Sequence, residues 1–255
     1  MIDINQMARI VDEAARSAKA IPQLSNKYSY TLDEAYAIQS ASFQRRIARG
    51  EKQVGIKMGF TSRAKMLQMG LSDLVWGRLS DGMLIEDGGE ISVKNYVHPR
   101  AEPELAFLLK RPLEGPVSSA EALAAVEAVA PAIEIIDSRY KNFKFSLEDV
   151  IADNSSSSGY LLGAWNDPTP DFSNLGMLLE VNGRPVQIGS SAAILGHPAR
   201  SLAHAARLAT QSGQSLNTGS IVMAGGATAA YALNHGDYVR NVVQKLGHVS
   251  FSVAS

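Results

Sequence analysis

The hydrophobic periodicity of this chain changes near residue 51, and the change restricts the folds that it can adopt. Before this point, apolar residues recur at the three- and four-residue spacing of an amphipathic helix. They are Met7, Ile10, Val11, Ala14, Ala15 and Ala18. Beyond it, short apolar runs are broken by glycine, which is typical of strands. We therefore predict an α+β protein, with a small helical region over residues 1–50 and a larger mixed-sheet domain over residues 51–255.

Three further helices are predicted from capping signals. Thr31 and Glu34 form a capping-box pattern, and the helix that they start is expected to run to Gly50. An alanine-rich segment predicts a helix over residues 119–130. A last helix is expected over residues 198–211, because proline stands at its first position and glycine follows its end.

Eight apolar runs predict the strands of the larger domain. They read VGIKMGF, MLIED, ELAFLL, AIEIID, LLEV, VQIG, SIVMAGG and VRNVV. Asn182-Gly183 joins LLEV to RPVQIG and predicts a β-hairpin, since both turn positions need a positive φ. Because strands and helices do not alternate regularly, a mixed sheet is favoured over a doubly wound parallel sheet or a barrel of eight βα units.

Composition excludes several classes of function. The 255 residues include no cysteine, so disulfides, thiolate metal sites and cysteine nucleophiles are ruled out. A formal net charge of -1 gives no reason to expect nucleic acid as a partner. The N-terminal segment lacks the pattern of a signal peptide, and no apolar run approaches the roughly 20 residues of a membrane helix. We therefore expect a cytoplasmic protein that does not enter a membrane.

Three acidic residues stand out because they lie in apolar strand-like segments. Period-2 alternation places Glu102 and Glu104 on one face of a strand, so that their carboxylates converge. Glu134 lies inside a second apolar run and needs a buried partner. A solvated strand face is the alternative for the first pair taken alone. With the third acid, a hard cation such as Mg²⁺ or Mn²⁺ is the better explanation.

Lys57 is flanked by glycine and apolar residues, which is unusual for a lysine. A lysine in such surroundings either pairs with a carboxylate or has a lowered pKa and transfers protons. Both roles suit a metal site. The alternative is an ordinary lysine that extends from an edge strand into solvent.

Other segments offer hydrogen-bond donors for an anionic ligand. They contain Asn154, Ser155, Ser156 and Ser158 in one probable loop, Gly226 and Thr228 in another, and Arg139 in a basic patch beside Glu134. A flexible linker is the alternative for the serine run, and a solvated loop is the alternative for the basic patch. Neither a Walker pattern nor a dinucleotide fingerprint is present, so a nucleotide site is rejected.

Four motifs together resemble the hydratase and decarboxylase family of the fumarylacetoacetate hydrolase superfamily. They are GIKMGFTSRAKM, HPRAEPELAFLLKRP, EIIDSRYKNFKFSLEDVIADNSSSSG and IVMAGGATAA. The resemblance covers nearly the whole chain, and it is strongest to the decarboxylase branch. It implies a mixed β-roll core, Mg²⁺ on Glu102, Glu104 and Glu134, an active-site Lys57, and a pocket lined by the serine and Gly-Gly-Ala-Thr segments.

The resemblance also implies an activity. It is the metal-dependent decarboxylation of 2-oxo-3-hexenedioate to 2-hydroxypenta-2,4-dienoate and CO₂ in the meta-cleavage degradation of aromatic compounds. Mg²⁺ is the expected metal, with Mn²⁺ as an alternative, and no organic cofactor is expected. Hydration of 2-hydroxypenta-2,4-dienoate on the same platform remains open, as does a non-catalytic subunit that binds the hydratase. Association with the hydratase and with further copies of the chain is expected.

Overall fold

The computed structural model describes residues 2–62, 66 and 73–255. Two helices open the chain, α1 (Ile4–Ser17) and α2 (Leu32–Ala48). The capping box predicted at Thr31 is present, since its side chain accepts the Glu34 N–H and the Glu34 side chain accepts the Thr31 N–H. Residues 63–65 of the first resemblance motif lie outside the described residues.

The remaining elements follow in chain order. Strands are β1 (Gln53–Gly59), β2 (Val75–Ser80), β3 (Leu84–Ile85), β4 (Gly89–Ser92), β5 (Arg100–Leu109), β6 (Val126–Ile136), β7 (Ser157–Leu162), β8 (Gly176–Val181), β9 (Arg184–Ser190), β10 (Ile221–Met223), β11 (Tyr231–Ala232), β12 (Tyr238–Val243) and β13 (Gly247–Ala254). Helices are α3 (Ser119–Ala124), α4 (Leu147–Ala152) and α5 (Pro198–Gln211). The helix predicted over residues 198–211 is thus confirmed in full.

Two curled sheets form the larger part of the molecule. The first has the order β2-β1-β10-β5-β6-β7-β3, and β11 also pairs with β5. Its β1–β10 and β3–β7 pairs are parallel, and the other pairs are antiparallel. The second has the order β4-β13-β12-β8-β9 and also contains one parallel pair. The predicted α+β class with a mixed sheet is therefore confirmed.

The predicted hairpin is also confirmed. Asn182 and Gly183 have φ values of 52° and 75°, and they join β8 to β9 in antiparallel register. The prediction of a helix over residues 119–130 is wrong beyond Ala124, because Val126 begins β6. Pairing of Val126 and Val129 with β5 and their complete burial outweigh the helical preference of the neighbouring alanines.

The helical region is attached to the sheets through polar and apolar contacts. Buried Asp149 at the start of α4 accepts hydrogen bonds from the Ser25 hydroxyl and the Tyr30 hydroxyl, each at 2.6 Å. Met7 and Ile38 belong to a buried apolar cluster that also contains Tyr140 and Ile151. A separate domain over residues 1–50 stays a prediction. Within the described residues, no helix is long and apolar enough to cross a membrane.

Candidate metal centre

Adjacent strands β5 and β6 bring the three predicted carboxylates together. Glu102 lies directly opposite Glu134 in the antiparallel register, and Glu104 follows Glu102 on the same face. One carboxylate oxygen from each side chain lies within 4.8 Å of the others. Glu104 and Glu134 are completely buried, while Glu102 is partly accessible. The period-2 prediction for these side chains therefore describes the strand correctly.

Lys57 on β1 also points to this cluster. Its Nζ lies 2.9 Å from Oε2 of Glu134 and donates a hydrogen bond to it, and the lysine is 3% exposed. Burial alone would lower the pKa of Lys57, but the charges of Glu134, Glu102 and Glu104 outweigh it and raise this pKa above 10.5. Of the two roles considered for this residue, the structure therefore gives it a carboxylate partner and a positive charge.

Two glycines lie against the carboxylates of the site. The Gly225 N–H donates to Oε2 of Glu104 at 2.8 Å. Gly225 has a φ of 102°, and a Cβ at this position would lie 2.3 Å from Oγ1 of Thr61. At Gly226 a Cβ would lie 3.0 Å from Oε2 of Glu102. The glycine pair thus allows the backbone to approach an anion, as its sequence suggested, and that anion is the carboxylate of Glu104.

The charge of the site fits a divalent cation. Three carboxylates face a single lysine, so the cluster carries a formal charge of −2 when all groups are ionised. Burial, followed by the charge of Glu134, raises the pKa of Glu104 well above its ordinary value of 4.5. Oε1 of Glu104 and Oε1 of Glu134 are both buried without a hydrogen-bond partner. A Mg²⁺ or Mn²⁺ ion bound by these oxygens would satisfy both atoms and compensate the charge.

A cavity of about 300 Å³ opens beside the carboxylates. Six of the residues predicted for the site line it, namely Lys57, Glu102, Ser155, Ser156, Gly226 and Thr228. Much of the remaining wall is apolar, and it includes Phe60, Val75, Ile136, Phe143, Phe145 and Val150. A small molecule in this cavity would therefore have one end at the carboxylates and the other end between apolar side chains.

The serine run forms an unusual turn at the edge of this cavity. Asn154, Ser155 and Ser156 have φ values of 51°, 51° and 62°, a left-handed conformation that costs about 1–2 kcal/mol per residue. The Asn154 side chain accepts the Arg78 N–H at 2.8 Å and donates to the Arg78 carbonyl at 2.9 Å. Buried Oγ of Ser156 has no partner. Strain of this kind is typical of functional sites.

Asn154, Ser158 and Arg139 lie on the other side of the turn. They line a second cavity of about 270 Å³ between the helical region and the sheets, and the structure does not bring them into the cavity at the carboxylates. Arg139 binds the carboxylate of Asp153 and donates to the hydroxyl of Ser158. The loop expected over the serine run is shorter than predicted, because β7 begins at Ser157.

Arg100 lines the cavity at the carboxylates and was not among the predicted site residues. The alternation that pairs Glu102 with Glu104 extends to this arginine, which stands two residues before Glu102 on the same face. Thr61 and Phe143 also line the cavity. They come from the ends of loops, where no regular spacing announces which side chains face a site.

Comparison with known families bears on these observations. Residues 62–254 match the model of the fumarylacetoacetate hydrolase C-terminal domain. The chain belongs to this family. The match covers all three carboxylates, the second sheet and every strand of the first sheet except β1, and it confirms the resemblance stated from the motifs.

Individual relatives narrow the assignment within the family. The chain is 60% identical over 249 residues to a 4-oxalocrotonate decarboxylase from a Pseudomonas species, which covers 98% of this chain and 97% of that protein. A solved structure, 4-oxalocrotonate decarboxylase from Pseudomonas putida G7 complexed with magnesium and adipate, matches with a TM-score of 0.95 and 37% identity over 98% of this chain and 97% of the other. A 2-keto-4-pentenoate hydratase from Paraburkholderia xenovorans is 35% identical, over 96% and 92% of the two chains. Similarity to the decarboxylases is thus the greater.

Proposed function

We propose that this protein is a metal-dependent decarboxylase of 2-oxo-3-hexenedioate, also called 4-oxalocrotonate. The observation that carries the proposal is the convergence of Glu102, Glu104 and Glu134 beside a cavity that takes a small molecule. The 60% identity to a 4-oxalocrotonate decarboxylase supports the same reaction. Magnesium is the proposed metal, because hard oxygen ligands suit it and the related solved structure is complexed with magnesium. Mn²⁺ would fit the same donors.

The reaction requires an electron sink at the 2-oxo group. As the bond between C5 and C6 breaks, its electron pair moves through the C3–C4 double bond toward the 2-oxo oxygen, and CO₂ leaves. The products are CO₂ and, after one proton is added, 2-hydroxypenta-2,4-dienoate. A divalent cation held by the three glutamates would act as a Lewis acid that stabilises negative charge on the 2-oxo oxygen. No organic cofactor is required for this electron flow.

Lys57 is the proposed proton donor. Its pKa is raised by the surrounding carboxylates, so its ammonium group is protonated at neutral pH and can donate toward the oxygen that gains negative charge. Its hydrogen bond to Glu134 fixes the direction of Nζ at the wall of the cavity. Since Lys57 carries a positive charge, it also stabilises the transition state electrostatically.

The remaining predicted residues divide into two proposed roles. Ser155, Ser156, Gly226 and Thr228 line the cavity, and we assign them contacts with the substrate. The other three, Asn154, Ser158 and Arg139, hold the turn from its far side, and we assign them a positioning role instead of direct contact.

One experiment separates this function from its alternatives. Purified protein is incubated with 2-oxo-3-hexenedioate and Mg²⁺, and released CO₂ is measured together with loss of the substrate absorbance. We expect one CO₂ for each substrate consumed, and none from the double variant Glu102→Gln with Glu104→Gln. Consumption of 2-hydroxypenta-2,4-dienoate without CO₂ from the dioate would favour a hydratase. No reaction with either compound, combined with binding to the hydratase, would favour a non-catalytic subunit.

Association with other chains is a further part of the proposal. We propose that the protein forms homo-oligomers and a complex with the hydratase, which consumes the product of this reaction. Ile188 on edge strand β9 is 77% exposed, and an apolar side chain on an unpaired strand supports a contact between subunits. Light scattering of the wild type and of Ile188→Lys would test the homo-oligomer. Co-elution with the hydratase would test the complex between the two enzymes. A cytoplasmic location stays a prediction.

A further inference from the structure

Arg100 is a charged residue of the cavity that the proposed reaction does not yet use. It lies on β5 two residues before Glu102, so its side chain leaves the same face of the sheet about 7 Å further along the strand. In the paired register Arg100 lies opposite Ile136, whereas Glu102 lies opposite Glu134. The side chains of Arg100, Glu102 and Glu104 therefore lie in a row on one face of β5, and the residue paired with Arg100 is apolar.

The positive charge of Arg100 has no acidic partner in the part of the chain that the structure describes. Arg100 forms none of the ion pairs found among residues 2–62, 66 and 73–255. Its guanidinium carbon instead lies 3.9 Å from the ring centroid of Phe143. By contrast, the second cation of the cavity, Lys57, already forms an ion pair with Glu134. The guanidinium thus remains available for an anion, and the aromatic face holds it at the wall of the cavity.

The distance of about 7 Å between the positions of Arg100 and Glu102 along β5 suits the length of a six-carbon substrate. When the 2-oxo acid end lies beside the carboxylate cluster, four carbon–carbon bonds separate C2 from C6. With bonds of about 1.5 Å, an extended chain of this length spans about 5 Å. The N–H groups of the guanidinium can reach across the difference between this length and the separation of about 7 Å along the strand. A planar guanidinium is also well suited to bind a carboxylate through two hydrogen bonds.

We propose that Arg100 binds the distal carboxylate of the substrate and makes the site selective for 2-oxo dicarboxylates over 2-oxo monocarboxylates of the same length. This inference rests on the proposed function, because it assumes that the 2-oxo acid end lies at the metal centre. The charge that Arg100 recognises is the carboxylate that leaves as CO₂. Its attraction is therefore present in the substrate complex and lost in the product complex, which favours release of the product.

The proposed role predicts how substitutions of Arg100 change KM and kcat. Arg100→Met should raise KM for 2-oxo-3-hexenedioate strongly and should not lower kcat, since the lost interaction stabilises the bound substrate and weakens as the carboxylate departs. Arg100→Lys keeps the charge and loses the planar donor pair, so its KM should lie between those of the wild type and Arg100→Met. A purely structural role would not produce this order.

Binding of two saturated analogues tests the inference without turnover. Calorimetry in the presence of Mg²⁺ compares 2-oxohexanedioate with 2-oxohexanoate, which differ only in the distal carboxylate. Wild type should prefer the dioate by about 10- to 100-fold, the range of one charge-assisted contact. Arg100→Met should reduce this preference to about threefold or less and should bind 2-oxohexanoate as wild type does.

Other results of this calorimetric comparison would refute either the role of Arg100 or the proposed function. If Arg100→Met weakens both analogues equally, Arg100 only supports the cavity, and the inference is wrong. Equal binding of the two analogues by wild type, or an unchanged preference in Arg100→Met, also refutes it while the proposed function stands. If wild type binds neither analogue in Mg²⁺, the proposed function fails and the inference fails with it. Arg100→Lys, with a retained preference, shows that a loss in Arg100→Met is due to charge and not to misfolding.

Discussion

Lys57 donates a 2.9 Å hydrogen bond to Glu134, and both side chains are almost completely buried. A buried ion pair is costly to form and still more costly to break on one side. Glu134 belongs to the carboxylate cluster and Lys57 lines the cavity, so the pair connects the charge of the metal centre with the site of the reaction. The first prediction follows from this arrangement.

Replacement of Lys57 by methionine should affect turnover more than metal binding. Loss of a positioned proton donor is expected to lower kcat by about 10²- to 10⁴-fold. Removal of a positive charge does not weaken the attraction of the three carboxylates for a cation, so the Kd for Mg²⁺ should not rise. Steady-state kinetics and calorimetry measure the two effects separately. An unchanged kcat in Lys57→Met would remove the proposed role of this residue.

A side chain should be more destabilising at Gly225 than at another glycine with almost the same φ. Gly225→Ala places a Cβ against Thr61, whereas Gly50 has a φ of 104° and nothing within 4 Å of the corresponding position. Strain at a positive φ costs both variants about 1–2 kcal/mol, and the collision adds to it only at Gly225. Urea unfolding should therefore show the larger loss for Gly225→Ala, accompanied by weaker Mg²⁺ binding. Equal losses would mean that the loop can move away from Thr61.

The docking of the helical region should depend on the Tyr30 hydroxyl. This group donates to buried Asp149, and a carboxylate acceptor makes the bond a strong one. Tyr30→Phe should lower the free energy of unfolding by about 1.5–3 kcal/mol, the range for hydrogen bonds to charged groups. Tyr28→Phe is a matched control, because Tyr28 contacts Lys27 through its ring. If the two variants have the same stability, the Tyr30 hydroxyl does not anchor the region.

Stability should fall at low pH through Asp12 on α1. Burial alone would raise the pKa of Asp12, but hydrogen bonds and charges from Arg49 and Arg45 outweigh it and hold this pKa below 3.8. The folded state therefore binds the proton less tightly than the unfolded state. The resulting stability is complete above pH 3.8 and disappears as the pH falls through the lowered folded value.

Asp12→Asn removes this contribution, so the free energy of unfolding should depend less on pH in this variant. We expect a loss of about 1–2 kcal/mol at pH 7, since hydrogen bonds to charged groups contribute about 1.5–3 kcal/mol and solvent screens the partly exposed arginines. The difference from wild type should shrink below pH 3.8, as measured by urea unfolding across the range. Glu127→Gln, at an exposed position of β6, serves as the control. A difference that is constant with pH would contradict the assignment.

The metal cluster was partly predictable from sequence because two of its three carboxylates lie on one strand. Alternation along one strand fixes the common face of Glu102 and Glu104, and burial of an acid in an apolar run indicates that Glu134 needs a partner. No short segment shows that the strands of Glu102 and Glu134 are adjacent in the sheet. The motif resemblance implied that these residues share a metal, and the register pairs Glu102 with Glu134.

Other features depend on tertiary structure that no short segment reveals. Residues 126–130 include helix-forming alanines, yet pairing with β5 draws them into a strand. The serine run divides between two cavities, because three left-handed residues rotate successive side chains to opposite sides. No glycine marks this turn, so its conformation could not be predicted from composition. Arg100, in contrast, could have been found by extending the alternation by one step.

Calorimetric titration with Mg²⁺ tests the central claim most directly, because it measures whether the three glutamates bind a cation. The wild type should bind one Mg²⁺ per chain, and the double variant Glu102→Gln with Glu104→Gln should bind it at least about 100-fold more weakly, since even outer partners of metal ligands contribute 10- to 100-fold. Glu127→Gln should bind as the wild type does. A wild type that takes up no Mg²⁺, or a double variant with unchanged affinity, would contradict the account.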